Sequence, residues 1–194
     1  MARKDLPKYT VPSLTPEEGA RVAAILQERL DALNDLALTL KHIHWNVVGP
    51  HFIAVHEMID PQVDAVRAMV DATAERIATL GVAPVGTPGA LVKNRTWDDY
   101  SIGRASTDEH LGALDEVYVG VITAHRKAAE DTEELDAVTN DLLVGHLHEL
   151  ELFHWFVRAH LESSGGALST AAARTEKQAA RAASGAARKA SASK

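Results

Sequence analysis

Apolar residues recur along most of this chain at the three- and four-residue spacing of a helix face. Val22, Ile25, Leu26, Leu30, Leu33, Leu36, Ala37, Leu40, Ile43 and Val47 form one wide stripe. Thr15-Pro16-Glu17-Glu18 opens it. Thr15 can cap, Pro16 suits the first helical position, and Glu18 completes a capping box. Gly49-Pro50 closes it. A second stripe, Val55, Ile59, Val63, Val66, Val70, Ala74 and Ile77, predicts a helix from about Phe52 to Leu80, ended by Gly81. Pro61 lies inside that helix and is expected to kink it or to mark a late start. Residues 81–105 carry Pro84, Gly86, Pro88 and Gly89, then Thr96-Trp97-Asp98-Asp99-Tyr100. This stretch predicts a long crossover with one short helix. Ser106-Thr107-Asp108-Glu109 is a second capping box, opening a helix that carries Leu111, Leu114, Val117, Tyr118, Val121 and Ile122. The acidic stretch from Glu130 to Asp136 breaks it. A last helix is expected from about Ala137 to Ser163, with Val138, Leu142, Leu150, Phe153, Phe156 and Leu161 among its apolar positions.

Short links make antiparallel neighbours, and one long crossover among four helices is the ferritin-like connection pattern. The expected fold is therefore an all-α four-helix bundle over residues 16–164. Residues 1–15, with Pro7 and Pro12, read as a flexible arm. After Gly165-Gly166 the chain is mostly Ala, Ser, Lys and Arg. With almost no large apolar side chain to offset ordering entropy, residues 165–194 are expected to be a disordered tail.

The chain has 194 residues, enough for one domain with tails, and 46% are hydrophobic, which excludes a wholly disordered polymer. No run of eighteen apolar residues suggests a membrane span. The opening residues hold no apolar stretch that could act as a signal peptide, so a cytoplasmic location is expected. The absence of cysteine removes disulfides, Cys-ligated zinc, Fe–S clusters and thiol catalysis. The net charge of −7 hides a split. Residues 165–194 hold Arg174, Lys177, Arg181, Arg188, Lys189 and Lys194 against Glu176 alone, a net +5, which leaves −12 for the rest. An acidic body and a basic tail suggest different partners for each.

The second helix carries an unusual polar face. At about 100° per residue, His56, Asp60, Asp71 and Glu75 fall at roughly 0°, 40°, 60° and 100°. The pairs His56/Asp60 and Asp71/Glu75 are each spaced i, i+4, so each pair can address one ion. Imidazole with carboxylates and no sulfur suits iron, manganese or zinc. The pairs are fifteen residues apart, roughly 22 Å along a helix at about 1.5 Å per residue, so they cannot share a metal within one chain. Positions 56 and 75 share a midpoint with positions 60 and 71, between Ala65 and Val66. Two antiparallel copies about a two-fold axis there would set His56 against the other copy's Glu75, and Asp60 against its Asp71. Each chain would then own half of two identical sites. His44, from the neighbouring helix, is a natural further ligand. The competing reading is an ordinary solvated acidic face, although such a face has no reason to be symmetric.

Other patterns are weaker. Ferritin-type centres within one bundle use two Glu-x-x-His motifs, and this chain has one, Glu151 to His154. His56-Glu57-Met58-Ile59-Asp60 is like the zinc-protease motif with its second histidine replaced, and Pro61 counts against it. His125, His146 and His160 lie near apolar stripes and read as core histidines.

The run Lys41-His42-Ile43-His44-Trp45-Asn46-Val47-Val48-Gly49-Pro50, followed by Phe52 to Asp60 and by Asp71-Ala72-Thr73-Ala74-Glu75-Arg76-Ile77, resembles the Dps family of DNA-binding mini-ferritins. The resemblance covers about residues 15–165. It implies a hollow dodecamer built from two-fold dimers, with iron bound between subunits. The implied ligands are His44, His56 and Asp60 of one chain with Asp71 and Glu75 of the other, holding two irons at most, with Zn²⁺ as a competitor. The implied reaction oxidises Fe²⁺, preferably with hydrogen peroxide, and stores ferric mineral in the cage. Trp45 matches a tryptophan beside the family's site and reads either as an electron donor or as simple packing. Asp136 and Asp141 match acids that line three-fold iron pores, or else serve as dipole-stabilised acids at a helix start. DNA binding in the family depends on basic flexible segments. The tail is the candidate here, binding double-stranded DNA without sequence preference and placing the protein with the nucleoid, with Arg3, Lys4 and Lys8 as possible additions. The alternatives are a storage protein that does not bind DNA and an architectural DNA-compacting protein with an idle metal site.

Overall fold

The computed structural model describes residues 6–192. Arg3, Lys4 and Lys194 lie outside that range. The element order is α1 (Pro16–Asn46), β1 (Val47–Val48), α2 (Phe52–Thr79), α3 (Pro88–Asn94), β2 (Ala105–Ser106), α4 (Thr107–Glu133), α5 (Ala137–Leu161) and α6 (Glu176–Ala192). The chain makes two compact units. One contains residues up to Ala37, Ala65–Trp97 and Thr123–His148; the other contains Leu38–Asp64, Asp98–Ile122 and the chain from Glu149 onward.

Both capping boxes form as read. The backbone N–H and hydroxyl of Thr15 donate to Glu18, whose own N–H donates back to Thr15 Oγ1. Ser106 and Glu109 repeat the arrangement at the start of α4. The Thr15 contacts hold the Glu18 carboxyl below its usual range. Gly49 follows β1 at φ +111°, a conformation that favours glycine. α2 runs unbroken through Pro61, so the late start expected there does not occur. A proline removes one hydrogen bond, and the flanking Ile59 and Val63 are both buried. Burial of an apolar face holds a helix more firmly than a single ladder bond does.

The first unit is built on Val22, Leu26, Leu30, Leu33 and Leu36 of α1, with Val66 and Ile77 of α2 and Leu143 of α5. Its crossover is tied to α1 by side chains. Gln27 donates to the Val85 carbonyl and accepts from the Val85 N–H, and Trp97 donates to Asp35. In the second unit, Leu40, Ile43, Ile59, Leu114, Tyr118, Leu150 and Val157 are fully buried. There β1 and β2 pair in parallel, Val47 with Ala105 and Val48 with Ser106, a short ladder that the helical periodicity did not announce. Val138, assigned to the apolar stripe of α5, is instead 61% exposed in its first turn. Of the three expected core histidines, His125 and His146 are buried, whereas His160 is exposed and its ring bonds the Phe156 carbonyl one turn back.

The expectation of a disordered tail is overturned. Thr170 and Ala173 are buried, and α6 follows with Ala179, Ala180 and Ala183 buried. Small side chains suffice because α6 packs backbone to backbone, on Gly112 of α4. A Cβ at position 112 would sit 2.6 Å from the Ala179 carbonyl oxygen. Glu176 accepts from the backbone and hydroxyl of Ser101 at 2.7 Å each, which pins the first turn. Thr175 caps by accepting from the Gln178 N–H. Gly112→Ala is therefore expected to release α6 at a cost of about 1–3 kcal/mol. Limited trypsin digestion should then cut at Lys177 and Arg181 several-fold faster than in the wild type.

Candidate metal centre

The last two turns of α1 and the first three of α2 bring His44, His56, Asp60, Lys41 and Trp45 together within the second unit. The two imidazoles stack with centroids 3.6 Å apart and planes 23° apart. Each ring is held by the other residue's backbone. His44 Nδ1 lies 3.0 Å from the His56 carbonyl oxygen, and His56 Nδ1 lies 2.9 Å from the His44 carbonyl oxygen. A carbonyl can only accept, so both rings carry hydrogen on Nδ1, and Nε2 is the ring nitrogen left for a ligand. This is how protein scaffolds orient histidine as a metal ligand: the far nitrogen is tied down and the near one is left basic.

Asp60 completes the cluster. It accepts from Lys41 Nζ at 2.8 Å and lies 3.2 Å from His44 Nδ1. The hydrogen bond from Lys41 holds the Asp60 carboxyl below its usual range, with His44 and His56 adding smaller effects. It is therefore an anion at neutral pH. Sequence reading missed Lys41. Its signal was its position three residues before His44, on the same side of α1. Lys41 Nζ also sits 5.9 Å from the ring centroid of Trp45. A cation at the position of a metal's positive charge occupies Asp60 in this single chain, and an arriving ion would have to displace it.

Asp71 and Glu75 stand exposed about three and four turns beyond Asp60 along α2, in the first unit. Among the described residues, no three His, Asp or Glu side chains of one chain form a ready metal cage. A site shared between two copies does not require one. Exposed apolar groups accompany the half-site: Leu38 is 65% exposed, Trp45 72% and Ile53 50%.

The two acids matched to an iron pore differ. Asp136 is buried, bonded by Arg76 and by the Thr139 hydroxyl at the start of α5. Although burial opposes it, the Thr139 and Arg76 contacts hold the Asp136 carboxyl below its usual range. In this subunit Asp136 serves as a cap and as the ion-pair partner of Arg76. Asp141 is exposed.

The basic residues of the C-terminal segment form a pattern that the linear sequence only half shows. At about 100° per residue, Lys177, Arg181 and Arg188 of α6 fall within roughly 40° of one another, and Arg174 lies just before the helix. The three lie across α6 from the buried alanines, and they and Arg174 are exposed. Lys189 is exposed outside that sector. Arg188 also lies close enough to Glu109 to favour its ionised form.

Residues 23–164 match the family model for the ferritin-like domain. The chain is 59% identical over 172 residues to the DNA protection during starvation protein of Mycolicibacterium smegmatis, covering 89% of this chain and 94% of that one. The solved structure of Mycobacterium smegmatis Dps superposes with a TM-score of 0.85 at 59% identity, covering 87% of this chain and 97% of that one. DpsA14 from Streptomyces coelicolor superposes with a TM-score of 0.83 at 65% identity, covering 84% and 98% respectively.

Proposed function

This chain belongs to the Dps branch of the ferritin-like family, and on that footing we propose that it oxidises Fe²⁺ at sites shared between two-fold-related copies. The observation that carries this reading is the reciprocal Nδ1 tethering of His44 and His56, which leaves two basic nitrogens beside the anionic Asp60. Asp71 and Glu75 of the second copy supply the remaining oxygen donors. Nitrogen and oxygen donors without sulfur accept Fe²⁺ and also Zn²⁺, which would compete. The exposed Leu38, Trp45 and Ile53 beside the half-site are the surface that the second copy covers.

In this reading iron is substrate and cargo. His44 and His56 orient the ions, the carboxylates neutralise the growing charge, and hydrogen peroxide takes one electron from each of two Fe²⁺. Twelve copies enclose the ferric product, and Asp141 contributes to the pores through which iron arrives. The test is stoichiometry. Anaerobic Fe²⁺ titrated with peroxide should be consumed at about two irons per peroxide, with no hydroxyl radical trapped. One iron per peroxide with trapped radical would defeat the proposal.

The Mycolicibacterium relative is named for DNA protection, and the outward stripe of α6, with Arg174 just before it, supports the same role for this chain in the cytoplasm, at the nucleoid. Arg174, Lys177, Arg181 and Arg188 can meet phosphates without reading bases, so binding is independent of sequence. Avidity arises from many copies of α6 on one particle. Replacing all four with Gln should abolish retardation of double-stranded DNA at moderate salt. It should also flatten the salt dependence of log K by about 3–4 units per engaged helix. An unchanged gel shift would remove α6 from this role.

A further inference from the structure

Ala20, Ala23, Ala24 and Gln27 fall at i, i+3, i+4 and i+7, and so share one face of α1. The crossover passes over this face, held by the exchange between Gln27 and Val85 and by the bond from Trp97 to Asp35. Three methyl groups fill little of the space between the two. A cavity of about 560 Å³ remains there, with the alanines, Val85 and Trp97 in its wall. All of its wall belongs to the first unit. Sites for small organic ligands span about 300–1,000 Å³, and this volume lies inside that range. Ala24, Val85 and Trp97 are exposed, so the cavity opens to solvent.

Two charged groups of the wall are buried, and they differ in how they are met. Asp31 accepts from Gln27 and from Asn94, at 3.3 Å each. Arg29 is 7% exposed, and its Nη1 has no hydrogen-bond partner. The Glu28 carboxylate lies 3.8 Å from Arg29 Nη2, beyond hydrogen-bond distance, and its side chain is 79% exposed. Burial pulls the Arg29 pKa below the usual arginine range, and Glu28 opposes this only in part. A guanidinium keeps its charge regardless. A buried cation with an open donor is costly until an anion meets it. The charge of that anion is limited by its surroundings. Glu28 and Asp31 set two negative charges in the wall against one positive, so a doubly charged head is repelled more than a carboxylate. The alanines, Val85 and the Trp97 ring call for an apolar body behind the head.

We propose that this cavity binds a small monocarboxylate with an apolar body, its head on Arg29 and its body against the alanines, Val85 and Trp97. The charge-assisted bond from Arg29 orients the ligand, and burial of the body supplies most of the affinity. None of the wall residues is among the proposed metal donors, so the site stands apart from the iron reading.

The test uses the full assembled chain without iron, octanoate as the probe, and isothermal titration calorimetry. Saturable binding of up to one octanoate per chain is expected, with a rise in thermal midpoint as octanoate increases. Octanol has the chain without the charge and should bind about 10- to 100-fold more weakly, the worth of a hydrogen bond to a charged group. Octyl phosphate, as its dianion, should also bind more weakly than octanoate. Arg29→Met keeps an unbranched stem and removes the charge. It should weaken octanoate by the same 10- to 100-fold, leave octanol unchanged, and so erase the preference for the acid. Ala24→Phe fills the cavity from its exposed rim and should block both probes. Four results overturn the proposal: no saturable octanoate binding, octanol bound as tightly as octanoate, octyl phosphate bound more tightly, or octanoate affinity unchanged in either variant. If Arg29→Met fails to assemble, the comparison of probes and Ala24→Phe decide the matter. A wild type that fails to oxidise iron would defeat the preceding reading and leave this test intact.

Discussion

Chains carrying His56→Ala and chains carrying Asp71→Asn with Glu75→Gln should each lose Fe²⁺ oxidation by at least about 100-fold, and a mixture of the two should recover it in part. Loss of second-shell partners alone typically costs about 10–100-fold, so loss of donors costs at least the upper end. Recovery follows from the two-fold geometry. In a mixed dimer, one site takes its histidines and its acids from the intact halves of both chains, and the other site takes both damaged halves. Random pairing of equal amounts makes half of the dimers mixed, so about a quarter of all sites are whole. The measurement is peroxide-dependent Fe²⁺ oxidation after the two variants are unfolded and refolded together. A site contained in one chain predicts no recovery, because every chain in the mixture is damaged. Recovery near a quarter therefore tests the shared site more sharply than the loss of activity in either parent.

The second large effect is expected at Asp115, a residue with no part in the metal centre. It is buried in α4 and accepts from His154 Nε2 at 2.6 Å, Arg158 Nε at 2.9 Å and Thr170 Oγ1 at 2.6 Å. These contacts join α4, α5 and the chain that leads to α6. Burial works against the Asp115 anion, but the bonds from His154, Thr170 and Arg158 outweigh it and lower the carboxyl to about 2. Asp115→Ala strands buried donors and should cost about 3–5 kcal/mol. The loss should appear as a lower thermal midpoint, with trypsin cutting the 170–192 segment first. Asp115→Asn should be milder, because an amide oxygen can still accept the bonds from His154 and Arg158 that share Oδ1.

Acid unfolding separates this network from a second buried group. Burial lowers the pKa of His146 to about 4 from its usual 6.5. Its neutral form contributes stability above pH 6.5, which is lost as pH falls toward 4. The Asp115 contribution is complete above its usual 3.8 and is lost only as pH falls toward 2. The wild type should lose stability in both windows. Asp115→Asn should show only the upper one. A lower transition that persists unchanged in that variant would place the acid-sensitive group elsewhere.

The Glu-x-x-His motif that sequence reading set aside, Glu151 to His154, acquires its meaning here. His154 faces Asp115 instead of a metal. The motif was legible as residues but not as a role, because one helix turn cannot say which neighbour its histidine will meet. The same distinction separates Asp136 from Asp141. Both are acids near a helix start, yet Arg76 comes from α2, sixty residues away, and only its arrival makes Asp136 a buried partner.

Local rules decided much of this protein directly from its residues. The boundaries at Thr15, Ser106 and Gly49 follow from capping and backbone sterics, which act within one turn of chain. The four apolar stripes follow from burying one face of each helix. The shared midpoint of His56, Asp60, Asp71 and Glu75 follows from helix geometry and was readable before any coordinates.

Only the tertiary structure decided the rest. It turned His44 and His56 to each other's carbonyls, set Lys41 on Asp60, buried Arg29 in the wall of a cavity, and folded the C-terminal segment as a helix. That last outcome shows the physical reason most clearly. The segment looked too poor in large apolar groups to order itself. Its ordering energy comes from a glycine in α4 that admits an alanine backbone, and from Ser101, which holds Glu176. Both contacts are long-range, and no window of sequence contains both partners.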